Sequence, residues 1–416
     1  MLADPILIVA VISGFLMACS IGANDVANAM GTTVGSKTLT VKQAILLAAI
    51  FEALGAILAG GQVTTTLREG LIDTHAFMVD PDALVWGMLA SLWSSGTWLI
   101  LATYFGWPVS TTHTIVGAVL GFSFLALGVD GIHWHMAGVI AISWVVAPIL
   151  SAGAAFLLFK MLQKSIYNGR DPRESLSRVL PVLVFFSHYF IVLMILNKGL
   201  KPLGLHILFW QQQVIACTIA TIGAIVAYRL FIKLIQQYSS EDHHKIFKVI
   251  EKVFGILAIF SAAVLAFAHG SNDVANAIGP LATIVDVLRF GYVIPSNKLP
   301  LWVVLLGSSG VVVGLAVYGY RIMETVGKRI TYLSPSRSFS AQLTAGMMVL
   351  SASALGYPVS TTQILVGSVV GVGFAGGIEA LNLKVVRSIF LSWMITIPVG
   401  SILSMGYYKL FEKVWG

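Results

Sequence analysis

Residues 22–31 read GANDVANAMG and residues 270–279 read GSNDVANAIG, identical at eight of ten positions. A second pair follows at nearly the same offset: GWPVSTTHTIVGAVLG at 106–121 and GYPVSTTQILVGSVVG at 356–371, identical at ten of sixteen. Polar and glycine positions match best, which chance similarity between apolar segments does not explain. Counting apolar segments along the chain gives twelve, with the first motif on the first and eighth and the second on the fourth and eleventh. An offset of seven is odd, so the copies should face opposite ways across a bilayer. That is an inverted-topology repeat, an architecture built for transport by alternating access.

Composition sets the same class independently. The 416 residues are 57% hydrophobic and 10% charged, with a mean hydropathy of +0.89. A soluble domain carries about 25% charged residues, so the chain reads as an all-α polytopic membrane protein of about twelve segments. Broken helices or re-entrant hairpins are expected at the Pro-Val-Ser-Thr-Thr motifs. Disulfide scaffolds, nucleic-acid-binding domains and membrane-anchored soluble enzymes are excluded. Cys19 and Cys217 lie inside apolar runs and read as packing residues. Asp4 stands where the basic region of a signal peptide would be, so the first apolar segment reads as a retained helix.

The charge is unevenly distributed. Between Lys160 and Lys252 stand twelve basic residues and five acids, which accounts for the whole net charge of +7. Because apolar segments interrupt this stretch, the positive-inside rule explains it better than a nucleic-acid partner does. The loops near 160–178 and 229–252 are then cytoplasmic, joined by spans near 179–197 and 207–228. Both termini are expected outside. The loop 67–82, with Arg68 against Glu69, Asp73, Asp80 and Asp82, is expected outside and the basic loop 320–337 inside. The organisation is a first inverted repeat over 1–160, a central basic part with two linking helices over 161–245, and a second inverted repeat over 246–416.

The first motif places Asn24, Asp25 and Asn28 on one turn of helix, and its copy does the same with Asn272, Asp273 and Asn276. One carboxylate and two amide carbonyls at this spacing are hard oxygen ligands for a small cation. Helix-to-helix gluing is the plainer use of the asparagines, but a carboxylate buried in a span needs a cation or a proton. The flanking glycines Gly22, Gly31, Gly270 and Gly279 are expected to let the helix unwind, and Pro280 to end the second copy of this motif. In the second motif, Pro108 and Pro358 are expected to stop one helix while Ser110, Thr111, Thr112 and Ser360, Thr361, Thr362 open the next. A helix N-terminus offers free N–H groups, hydroxyls and the positive dipole end, a site for a phosphate-like oxyanion. Such an anion together with two aspartates needs at least two cations, and neither motif contains a basic side chain. Coupled symport is the expectation.

Glu52 lies mid-span and is a further candidate for coupling. His113 follows Thr112 but its mate is Gln363, so a Ser110–His113 hydrolase pair is not expected.

On these residues the chain resembles the PiT family of inorganic phosphate transporters, outside 161–245. The duplicated Asn-Asp-Val-Ala-Asn and Pro-Val-Ser-Thr-Thr elements carry the likeness. The resemblance implies two inverted repeats, often a homodimer, and sodium as the coupling ion at Asp25, Asn28, Asp273 and Asn276. It also implies phosphate contacts at Ser110, Thr111, Thr112, Ser360, Thr361 and Thr362. GANDVANAMGTTVGS and Phe51-Glu52 resemble the sodium-coupled, eukaryotic-like branch, whereas Gln342 stands where those relatives carry a second glutamate. The short 236–248 loop points to a prokaryotic member.

The expected function is sodium-coupled phosphate uptake across the plasma (inner) membrane, with sodium as co-substrate and no cofactor. A proton-coupled phosphate carrier or a sodium-coupled sulfate permease is the alternative. A membrane-embedded phosphoryl-transfer enzyme is the more distant one, since it would need a nucleophile and base in one copy only.

Overall fold

The computed structural model describes residues 5–168, 171–199, 207–236, 243–294, 299–320, 322–323, 332–377 and 382–416. Among these, the long helices in chain order are α1 (Pro5–Gly35), α2 (Val41–Ala59), α3 (Pro81–Tyr104), α4 (Thr111–Leu127), α5 (Trp134–Tyr167) and α6 (Pro172–Asn197). They continue with α7 (Phe209–Leu234), α8 (Ile246–Phe290), α9 (Leu301–Tyr318), α10 (Pro335–Ala354), α11 (Thr361–Ala375) and α12 (Leu383–Trp415). Nine are long and apolar enough to cross a membrane, while α4 and α11 are shorter apolar helices. A short helix, Gly61–Thr65, and a π turn, Thr66–Gly70, lie between α2 and α3.

Local sequence sets the helix starts. Thr40 and Gln43 form a reciprocal capping box before α2. Asp80-Pro81, Asp171-Pro172 and Ser334-Pro335 each put a capping oxygen before a proline in the first turn of α3, α6 and α10. The Asp171 cap starts α6 seven residues before the expected position of 179. As a result Lys160, Lys164, Arg173 and Arg178 stand on helical turns and not in a long loop. The basic residues expected in 320–337 fall mostly outside the described residues, as does the centre of 236–248.

Equivalent helices pack crosswise. α1 lies against α9 and α2 against α8, while α5 lies against α11 and α12 against α4. Glycines make these contacts possible. A Cβ on Gly22 would stand 1.8 Å from the Val311 carbonyl oxygen, and one on Gly314 1.7 Å from that of Cys19. In the matching interface, Gly270 would meet the Glu52 carbonyl oxygen at 2.1 Å and Gly55 that of Phe267 at 2.0 Å. Gly121 against Ser401 and Gly371 against Ala152 repeat the device for the shorter helices. Without a solvent-driven force between helices in lipid, backbone approach through small residues supplies the packing.

This corrects the expected role of the motif glycines. The first motif does not unwind; it widens into a π turn over Gly22–Val26 within a continuous helix. The second copy is interrupted at Val274, and Pro280 lies inside the helix that follows. The glycines at 22 and 270 are required by neighbouring helices, which the sequence spacing did not reveal. Cys217 is exposed on α7 and so is not a packing residue, whereas Cys19 lies at the α1–α9 contact.

Arg68 likewise differs from its expected place in an external loop. It is buried, at 2% exposure, and its guanidinium pairs with Asp286 on α8. Arg68→Met should therefore destabilise the protein by about 3 kcal/mol, because Asp286 loses its counter-charge in a poorly hydrated place. Thermal unfolding in detergent checks this, and Arg68→Met combined with Asp286→Leu should cost less than the single change.

Candidate functional site

Helices α3 and α10 end alike, and the ending is set by glycine. Gly106 and Gly356 adopt φ of 69° and 77°. Gly106 N–H donates to Thr103 O at 3.0 Å and Trp107 N–H to Ala102 O at 2.8 Å, with Gly356 and Tyr357 donating to Ser353 O and Ala352 O at 3.0 Å each. This left-handed termination closes each helix before the proline is reached. The chain then extends to Ser110 or Ser360, whose hydroxyl oxygens accept from the His113 N–H at 3.1 Å and the Gln363 N–H at 3.2 Å. Two helix N-termini, those of α4 and α11, are thus capped and pointed inward.

The two aspartates sit between them. Asp25 accepts from the Thr111 hydroxyl of one motif and the Thr362 hydroxyl of the other. Asp273 accepts from Thr361 and, at 3.4 Å, from Thr112. Each carboxylate therefore ties the two halves together, and each half contributes one threonine to each carboxylate. Asn276 Nδ2 donates to the Thr111 and Thr112 hydroxyls at 3.2 and 3.3 Å. The side chain of Asn28, its mate, lies outside the described residues.

Asn24 and Asn272 have a different task from the one their spacing suggests. Asn24 Nδ2 donates to Thr103 Oγ1 at 3.1 Å and Trp107 O at 3.0 Å; Asn272 Nδ2 donates to Ser353 Oγ at 3.0 Å and Tyr357 O at 3.1 Å. Both hold the ends of α3 and α10 to the motif helices. Their Oδ1 atoms, with that of Asn276, are buried and accept no hydrogen bond from the protein. These oxygens are the amide carbonyls a hard cation would use.

Trp144 on α5 donates to Pro358 O at 3.1 Å, and Trp393 on α12 donates to Pro108 O at 3.2 Å. The recurring Ser-Trp pair thus steadies the opposite motif. His113 packs against Trp144 with ring centroids 4.0 Å apart and planes tilted by 38°, and Ser110 Oγ meets its backbone N–H, not its ring. No hydrolase pairing exists there.

Sequence reasoning overlooked His269. Its Nδ1 lies 2.9 Å from Glu52 Oε2 on α2, in a hydrogen bond. Its Nε2 lies 2.9 Å from Asp273 Oδ2, a close contact off the hydrogen-bond line. All three side chains are fully buried. Ligand atoms of Asp25, His269 and Asp273 come within 4.8 Å of one another. The available signal was a histidine in an apolar run beside the second copy of the Asn-Asp motif, together with an unpartnered Glu52. Gln342, where relatives are expected to carry an acid, donates to Thr33 Oγ1 at 2.7 Å and Ala29 O at 3.1 Å, so its amide serves α1.

Comparison with known proteins agrees with the resemblance. The model of the phosphate transporter family matches residues 21–404. A relative named as a phosphate permease in Haemophilus influenzae is 43% identical, the alignment covering 97% of this chain and 96% of the relative. The Arabidopsis thaliana inorganic phosphate transporter 2-1, chloroplastic, is 39% identical over 96% of this chain and 71% of its own length. A solved structure titled "The sodium-dependent phosphate transporter" superposes with a TM-score of 0.91 at 36% identity, covering 98% of this chain and 99% of the other.

Proposed function

Because the chain belongs to the phosphate transporter family, whose members are carriers and not enzymes, we propose that it moves inorganic phosphate together with sodium ions by alternating access. The observation that carries this reading is the meeting of two Ser-Thr-Thr helix N-termini on two buried aspartates. The N-termini supply hydroxyl and N–H donors for an oxyanion. The aspartates and the free amide oxygens supply ligands for cations. Phosphate contacts are assigned to Ser110, Thr111, Thr112, Ser360, Thr361 and Thr362, and cation contacts to Asp25, Asp273, Asn276 and Asn28. Asn24 and Asn272 join them through their amide oxygens.

Charge makes the two functions depend on each other. Phosphate carries about 1.5 to 2 negative charges near neutrality, judged by a phosphate ester. Placed beside two carboxylates in a poorly hydrated centre, it is held only if cations arrive with it. The sodium-dependent neighbour supports sodium as that cation. The odd offset between copies supports an inverted repeat, with the two halves exchanging which side of the centre is open. The basic middle of the sequence supports a cytoplasm-facing centre with both termini outside, in the plasma membrane. A homodimer is consistent with family resemblance.

Reconstitution of the purified protein into sealed vesicles tests the coupling. Phosphate uptake should follow an inward sodium gradient, not a potassium gradient, and a pH gradient alone should not drive it. Uptake driven by the pH gradient without sodium would replace sodium by protons in this scheme. Uptake indifferent to both would end the symport reading.

A further inference from the structure

A groove of about 370 Å³ lies between α5 and α12, floored by the first half of α11. Its walls come from both copies of the sequence repeat. Trp144, Val145 and Pro148 on one wall correspond, at an offset of 249, to Trp393, Met394 and Ile397 on the other. At the bottom stand His113 and Gln363, which are mates at an offset of 250. The rim is open, with Val145 61% and Met394 75% exposed. On two helices long and apolar enough to span a membrane, that rim faces hydrocarbon.

Plain lipid chains do not satisfy this groove. His113 Nδ1 and Nε2 and Gln363 Oε1 have no hydrogen-bond partner at normal geometry, although both side chains are more than nine-tenths buried. Their polar neighbours in the groove are each other and two indole N–H groups, which are committed to the Pro358 and Pro108 carbonyls. A polar atom left unpaired in hydrocarbon is costly. A neutral imidazole presents one N–H and one lone pair, while Gln363 Oε1 only accepts. A hydroxyl group, with one hydrogen and two lone pairs, answers both. A carboxylate has no hydrogen to give Gln363 Oε1.

We infer that the groove is a binding site for a neutral long-chain amphiphile with a terminal hydroxyl. Its chain lies along α5 and α12, and its hydroxyl reaches between His113 and Gln363. The site goes beyond the transport reading and does not depend on it. Trp144 and Trp393, which wall the groove, hold the carbonyls of Pro358 and Pro108. An occupant therefore touches the supports of both Pro-Val-Ser-Thr-Thr motifs at once.

Photoreactive dodecanol and the matching photoreactive dodecane test this. Each is used at the same mole fraction in phosphatidylcholine vesicles holding the full-length protein, and labelled residues are mapped by mass spectrometry. The groove between α6 and α7, lined by Val182, Phe186 and Ile225, is the internal reference, because none of its lining residues carries a buried unpartnered polar atom. Relative to that reference, the alcohol should label Val145 and Met394 about tenfold more than the hydrocarbon does, the gain from two ordinary hydrogen bonds. His113→Leu combined with Gln363→Leu should bring the ratio to about one. Hydrocarbon labelling of the groove should persist there, showing that α5 and α12 still pack. Gln363→Met alone, close in size, should lower the ratio about threefold. A ratio near one in the unmodified protein would mean that water or a plain chain fills the groove. Protection from both probes would mean that a second copy of the chain covers it. Either result, or a preference unchanged in Gln363→Met and in the double variant, would overturn the inference.

Discussion

Sodium-driven phosphate uptake should fall at least about 100-fold in Asp25→Asn. The side chain keeps its shape; Thr111 and Thr362 sit on its two different oxygens, so one can still donate to the remaining carbonyl oxygen and the other can rotate to accept from the new amide. What disappears is one negative charge in a centre where Asp25 is only 2% exposed. Two unit charges 4 Å apart at an effective dielectric of 20 interact by about 4 kcal/mol, and about 2.7 kcal/mol already equals 100-fold. The loss should appear as uptake that no longer responds to the sodium gradient. A monodisperse elution profile would show that the variant is folded. Uptake within about threefold of the unmodified protein would remove Asp25 from the cation site.

A single methyl group at the α1–α9 contact should be more damaging to the fold than to any one site. In Gly314→Ala the new Cβ meets the Cys19 carbonyl oxygen at 1.7 Å, and that oxygen belongs to the backbone of α1. No rotamer change can relieve it; the helices must separate. The expected cost exceeds about 4 kcal/mol, at the extreme of single substitutions, and would be read as loss of monodisperse protein and a lowered unfolding temperature. Gly138→Ala is the matched comparison, since a Cβ there meets nothing within 4 Å. Equal stability of the two variants would mean that α1 and α9 do not pack as described.

Much of this was legible in the sequence because it was written twice. The two Asn-Asp motifs and the two Pro-Val-Ser-Thr-Thr motifs marked the centre, and Asp25, Asp273 and the four threonines do meet there. Features that depend on contacts between distant segments were not legible. Glu52 and His269 are 217 residues apart, and nothing local to either predicts the other. Arg68 read as a loop charge because its partner Asp286 lies on another helix 218 residues away. Asn24 looked like a ligand by spacing, yet its amide nitrogen is committed to the end of α3. Gly106 was overlooked beside Pro108 because a left-handed φ is a property of the folded turn. The sulfate and phosphoryl-transfer alternatives drew on the same donors, and family membership separates a carrier from an enzyme.

The crosswise packing has a cost during synthesis. α5 is complete at Tyr167, but its partner α11 begins only at Thr361. At about 5–20 residues per second of translation, the ribosome needs about 10–40 seconds to produce that partner. Throughout that interval the early half holds Trp144 without the carbonyl it will bind, and glycine-lined helix faces meet lipid in place of backbone. The nascent chain must therefore be sheltered by the insertion machinery or wait as a loose bundle. Neither half is a finished object until the last helix has been threaded back onto the first half.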